Sequence, residues 1–181
     1  DSANYALAIS NPAEFYQIAQ TGTLYESGNL GNQPFERELR YVRQVANSAF
    51  RYSESIQRAY NDGSNQVAYP DNSLAEQMAI VARMIKGSLG TKVFMVTIDG
   101  FDTHSNQANF HPNLLDWMGS SVEAFYTDLA ASGHSENVLT MSFSEFGRTI
   151  YENGSAGTDH GTGAPMLLFG EGLGSEFLGE A

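Results

Sequence analysis

Apolar residues recur along this chain in two rhythms, and the changes of rhythm mark out its elements. Over residues 34–60, Phe35, Leu39, Val42, Val45, Ala46, Ala49, Ile56 and Ala59 fall at helical spacing among charged and amide residues. That pattern predicts a long amphipathic cover helix, ended by Asn61-Asp62-Gly63. Leu74, Met78, Val81, Ala82, Ile85 and Leu89 repeat the pattern after Ser73-Leu74-Ala75-Glu76, which reads as a capping box, with Gly90 as C-cap. A third such face, Leu114, Leu115, Met118, Val122, Phe125 and Leu129, predicts a helix over 112–132 closed by Gly133. A short helix over 12–19 starts at Pro12, and the turn-rich stretch after it reads as loop.

Between these lie short, continuous apolar runs. Residues 93–98, 138–143 and 165–169 lack polar alternation, as suits strands covered on both faces. Strand, loop, helix, strand predicts a right-handed crossover and a parallel pair. The fold class expected is therefore α/β. Three strands are few for a sheet, and several long stretches have no structure of their own. Both features predict that part of the sheet is supplied from outside these residues. The chain starts at Asp1 without a signal peptide and ends in a Gly-rich run, so a fragment is expected.

Length and charge narrow the function. The chain has 181 residues, enough for one domain of ordinary size, and a formal charge of −12 from 21 acids and 9 bases. An acidic chain without a basic run argues against nucleic acid as a partner. No apolar run approaches the roughly 18 residues of a membrane span. Cysteine is absent, which leaves carboxylate and imidazole as the strong metal ligands and fits a place outside the cytoplasm.

The candidate chemistry gathers at strand ends. Residues 93–104 read VFMVTIDGFDTH, so the first run stops at Asp99, Asp102 and His104. The second ends in Ser144-Glu145-Phe146-Gly147-Arg148, and the loop 153–163 carries Asp159 and His160 just before the third. Hard oxygen and imidazole donors at sheet edges suit a divalent metal such as zinc, manganese, iron, magnesium or calcium, among which the residues do not choose. The three clusters converge only if the third strand runs antiparallel to the others, or if its preceding loop travels back across the sheet. His111 and His134 read as surface residues. Arg148 suits either binding of an oxyanion or neutralisation of Asp159. Asn153-Gly154-Ser155 has the form of a sequon and reads as loop.

Asp-Gly-Phe-Asp-Thr-His, Ser-Glu-Phe-Gly-Arg-Thr and Gly-Thr-Asp-His-Gly-Thr-Gly-Ala-Pro, in that order across residues 73–170, resemble a bacterial family of exported proteins. It is the domain-of-unknown-function family fifteen-oh-one, placed in the alkaline phosphatase/sulfatase superfamily; residues 1–72 match only loosely, as a variable helical region. The resemblance implies a three-layer αβα sandwich around a mostly parallel sheet with an antiparallel strand, and one partial domain over 1–181. It also implies metal-dependent hydrolysis of phosphate or sulfate esters, with a small anionic ester as substrate. Asp99 or Asp102 with His104 look like the pair holding one metal, His160 like the later ligand, and Glu145 like the first residue of an Asp-His pair. Asp159 joins them as a candidate ligand and Arg148 as the oxyanion stabiliser. Phe146 stands where that pair has its His, which removes an imidazole from a second metal site. The family's nucleophile lies in an N-terminal half that this chain is expected to lack, and neither Ser105, Ser144 nor Thr162 has its spacing. The missing half or another chain would complete the sheet. The rival expectation is an exported, non-catalytic module held by an ion or by a Glu145–Arg148–Asp159 network.

Overall fold

The computed structural model describes residues 7–26 and 30–174. Among them are four α-helices, α1 (Pro12–Thr21), α2 (Pro34–Asp62), α3 (Ser73–Lys86) and α4 (Gln107–Ala130), and a 3₁₀ turn at Ser135–Asn137. Four two-residue strands follow: β1 (Thr140–Met141), β2 (Gly147–Arg148), β3 (His160–Gly161) and β4 (Leu168–Phe169). The chain divides into two compact units, Asp1–Ser64 with Arg83–Lys92 and Asn65–Ala82 with Val93–Ala181.

The expected three-layer sandwich and parallel sheet are not formed among the described residues. β1 pairs antiparallel with β4, and β2 antiparallel with β3, each as a two-stranded ribbon. Residues 93–98, expected as the central strand, have no ladder partner among the described residues. The side-chain amide of Gln77 takes that place at Thr97: its Nε2 donates to the Thr97 carbonyl at 2.8 Å, and its Oε1 accepts from the Thr97 N–H at 3.0 Å. Val93 is 84% exposed and Met95 74%, while Phe94, Val96 and Ile98 are half-buried. The continuous apolar run thus has one partly covered face, and neither edge has a parallel neighbour among the described residues. The ribbons carry the same mark, since Leu139, Met141 and Phe143 are all exposed.

In the first unit, α2 extends the expected helix by one half-turn, and it is a cover helix only in its C-terminal half. Ile56 and Ala59 are buried there, whereas Phe35, Leu39 and Val42 are exposed. Asn47 is buried because its amide pairs with the backbone of Tyr25, donating to the carbonyl at 2.8 Å and accepting from the N–H at 2.7 Å. α3 ends at Lys86 rather than Leu89. Ser88, with φ of 60°, takes the left-handed position, and the Leu89 N–H donates to the Met84 carbonyl in a Schellman closure. Gly87 is required because a Cβ there would strike the Ala59 carbonyl.

In the second unit the core is formed by Leu74, Ala75, Met78 and Ala82 of α3 with Leu114, Val122, Phe125 and Leu129 of α4. The N-terminus of α3 is capped by Asn72, whose Oδ1 accepts from the Ala75 N–H at 2.9 Å, one residue ahead of the predicted capping box. α4 begins five residues before the predicted start. Its first amides find acceptors in a distant loop: Asn106 N–H donates to the Ser155 carbonyl at 3.1 Å and Gln107 N–H to the Ala156 carbonyl at 2.8 Å. A start capped from nearly fifty residues away leaves no local signal, and Pro112 ends up inside the helix.

Candidate metal centre

Three segments of the second unit bring the site together. The first is 99–105, which leaves the extended stretch through Gly100, held at φ of 104°. The second is β2, and the third is the loop 153–163 with β3. Antiparallel pairing of Arg148 with His160 folds the third segment back onto the second, which is the orientation that convergence needs. The loop is then clipped to the first segment, Thr158 N–H donating to the Thr103 carbonyl at 3.1 Å. Gly157 passes so close to His104 that any Cβ would strike its carbonyl carbon. Asn153 finishes the clip: its Nδ2 donates to the His104 carbonyl at 3.0 Å, and its Oδ1 accepts from Ser155 and Gly157.

Asp102, His104 and His160 meet. One ligand atom from each lies within 4.8 Å of the others, and all three side chains are open to solvent. Asp102 Oδ1 is the shared point, 2.9 Å from His104 Nε2 and 3.0 Å from His160 Nε2. Donor atoms that share an ion at about 2.0–2.1 Å stand roughly 3 Å apart, which both carboxylate–imidazole distances match, so this donor set suits a divalent cation with open positions. The donor set fits the group that the sequence implies.

Around this trio sits a shell that sets its orientation. His104 Nδ1 lies 3.0 Å from Asp159 Oδ1, so its ring is bracketed by two carboxylates. Asn153 Nδ2 donates to the same Asp159 oxygen at 2.9 Å. His160 is stacked on Phe146, with ring centroids 4.0 Å apart and planes within 11°. Arg148 donates from Nη1 to Asp102 Oδ1, from Nε to the Thr158 hydroxyl at 3.1 Å and from Nη2 to the Thr158 carbonyl. All three guanidinium nitrogens are therefore engaged within the chain, and the side chain is only 19% exposed.

The carboxylates respond to these partners. Asp102 is held below the usual carboxylate range, first by its hydrogen bond with His160; desolvation opposes this, and Arg148 and the charges of the two imidazoles add to the lowering. Asp159 is held down first by Asn153 and then by His104.

The remaining candidates lie elsewhere. Asp99 stands on the wall of an open cleft beside the trio and is not one of its members. Glu145 is exposed on the segment between β1 and β2, outside the trio. Asp159 is behind His104, at its far nitrogen, and Arg148 neutralises Asp102 where the sequence suggested Asp159. His111 and His134 are half-buried: His111 meets the Phe101 ring edge-on at 5.6 Å, and His134 Nδ1 lies 3.2 Å from the Ser132 hydroxyl. Sequence reasoning missed Asn153, Thr158 and the stacking role of Phe146. Only Phe146 carried a signal, as the residue standing where an imidazole was expected.

Comparison with known proteins adds the family. The model of the family described as Protein of unknown function (DUF1501) matches residues 29–177, so the match takes in α2 as well as the motif-bearing core. No curated protein and no solved structure matches the chain significantly. The chain belongs to the DUF1501 family.

Proposed function

We propose that Asp102, His104 and His160 hold a divalent cation in a protein that hydrolyses phosphate or sulfate esters. The observation that carries this reading is the meeting of one carboxylate oxygen and two imidazole nitrogens, from segments nearly sixty residues apart, within 4.8 Å. A divalent cation held there supplies Lewis acidity toward an ester oxygen. The chain's own residues do the rest of the positioning. Asp159 fixes the His104 ring from its far nitrogen, as the outer partners of metal-bound imidazoles do. Phe146 fixes the plane of His160. Arg148 helps His160 keep Asp102 ionised, and with its donors engaged on Asp102 and Thr158 its effect on an incoming oxyanion is that of a fixed charge rather than a free fork.

The second reading is a non-catalytic module in which the same groups fasten three loops together. It is favoured by Asp102 Oδ1, which already meets Arg148, His104 and His160. The fastening runs Arg148–Asp102 and Asn153–Asp159–His104, with Glu145 outside it. Under either reading the exposed Val93 and Met95 favour a further segment or another chain beside residues 93–98, and the cysteine-free sequence favours a place outside the cytoplasm.

Metal analysis of the purified protein, with aryl phosphate and aryl sulfate as test substrates, separates the two. The hydrolase reading expects one equivalent of bound metal and turnover that His104→Ala or His160→Ala abolishes. A folded protein with neither metal nor turnover overturns it and leaves the fastening.

A further inference from the structure

Next to the trio, the second unit has an open cleft of about 510 Å³, within the size range of sites that hold small organic molecules. One wall is a single face of α4. Phe110, Asn113, Leu114 and Trp117 follow each other at helical spacing, and all four line the cleft. Phe110 is 58% exposed and Trp117 45%, so two large rings stand in water beside a polar cluster. The opposite wall is the segment that carries Asp99, Asp102 and Thr103. Gly100 lets that wall approach α4, since a Cβ there would stand 3.2 Å from the Leu114 side chain. Thr103 is 7% exposed, and its buried hydroxyl has no hydrogen-bond partner among the described residues.

We propose that this cleft binds the organic part of the ligand, and that this part is a flat ring that is uncharged or cationic. The rings of Phe110 and Trp117 offer stacking surface, and the face of an indole attracts a cation. No Lys or Arg lines the cleft, while Asp99 does, and the charge of Asp102 beside it is met by Arg148. An anionic body is therefore repelled, and an ammonium or hydroxyl donor is accepted. The cleft and the metal-capable trio share Asp102 and His104, so a ring lying on Trp117 has its ester group directed toward the trio. The substrate class is then an ester whose alcohol is a neutral or cationic ring compound, with the ester part resting on the hydrolase reading above. Asp99, which the sequence suggested as a ligand, becomes the residue that selects for charge on that ring.

Trp117 is the sole tryptophan of the chain, so its fluorescence reports the cleft directly. The experiment titrates the full chain, in the presence of a chelator, with tyramine, 4-methylphenol and 4-hydroxyphenylacetate. Saturable changes are expected with affinity in the order tyramine, 4-methylphenol, acid, each step being about fivefold. Asp99→Asn should bring tyramine to the level of 4-methylphenol and leave 4-methylphenol unchanged. Phe110→Ala, a change at an exposed position checked for folding by circular dichroism, should weaken tyramine and 4-methylphenol several-fold. Equal responses to all three probes, or a linear quench like that of free tryptophan amide, would overturn the proposal. Calorimetry with Mn²⁺ or Zn²⁺ on the same protein keeps the two readings apart. Ring binding without metal binding supports the cleft and refutes the metal centre, whereas metal binding without ring binding refutes the cleft alone.

Discussion

Phe146 lies flat against His160, ring on ring at 4.0 Å with the planes 11° apart. The contact gives an apolar residue a role in a polar site, because an imidazole held in one plane keeps its Nε2 pointed at Asp102 without paying to be ordered when a ligand arrives. Phe146→Ala frees that ring. Metal affinity, measured by calorimetry with Zn²⁺ or Mn²⁺, should fall about tenfold. Phe146→Tyr, which keeps the ring, should retain most of it. An Ala variant that binds as tightly as the parent would show that the stacking orients nothing.

His104 depends on a different partner. Its Nδ1 faces Asp159 Oδ1 at 3.0 Å, and Asp159 is in turn held by Asn153. Asp159→Asn keeps the shape of the side chain and removes the charge, so it should weaken metal binding by about 10- to 100-fold. Because the pair is exposed, the melting temperature should scarcely move. A large loss of stability with unchanged metal affinity would assign Asp159 to fastening the loop instead.

Much of the site was legible because its residues come in short, chemically dense runs. Asp102 and His104 sit two apart and His160 begins β3, so the three residues that meet were among the six candidates named, although Asp99, Glu145 and Asp159 stand outside the trio and the scaffold was not foreseen. The scaffold failed for a physical reason. A run such as VFMVTI says that a segment prefers extended backbone and apolar neighbours, but not whether those neighbours exist. Here Gln77 pairs with one residue of it, and Val93 and Met95 face water. The start of α4 was lost in the same way, since its caps are backbone carbonyls of Ser155 and Ala156. Asn153 looked like any loop asparagine until the clip it makes between His104 and Asp159 was visible.

Acid should dismantle the site in a defined window. Asp102 and Asp159 both have pKa values below their ordinary ones, through His160 and Asn153 respectively. A carboxyl group depressed in the folded state contributes stability in full above its unfolded value of about 3.9, and loses it as pH falls through the depressed value. The small difference in melting temperature between the parent and Asp102→Asn/Asp159→Asn, small because both groups are exposed, should therefore be greatest near neutrality and vanish in acid below about pH 4. A gap that stays constant or widens in acid would contradict that linkage.

Away from the site, Asp128 ties the loop before α3 to α4. Its side chain is fully buried, with Oδ1 accepting from Gln66 N–H at 2.7 Å and Oδ2 from Asn65 Nδ2 at 2.9 Å and the Tyr69 hydroxyl at 3.1 Å. Burial, and then the neighbouring Asp128 charge, push the Tyr69 hydroxyl well above the usual phenol range. Asp128→Ala leaves three donors without their acceptor and should cost about 3 kcal/mol or more. Asp128→Asn, which keeps one acceptor oxygen, should cost less. The raised Tyr69 value also sets a sign in alkali: its contribution is full below the unfolded value of about 10 and is lost as pH climbs toward the raised value. Urea melts between pH 8 and pH 11 should thus show stability falling in alkali for the parent, with a shallower fall for Tyr69→Phe. If both proteins lose stability in parallel, the alkaline loss comes from other groups and Tyr69 is not the proton that holds this loop.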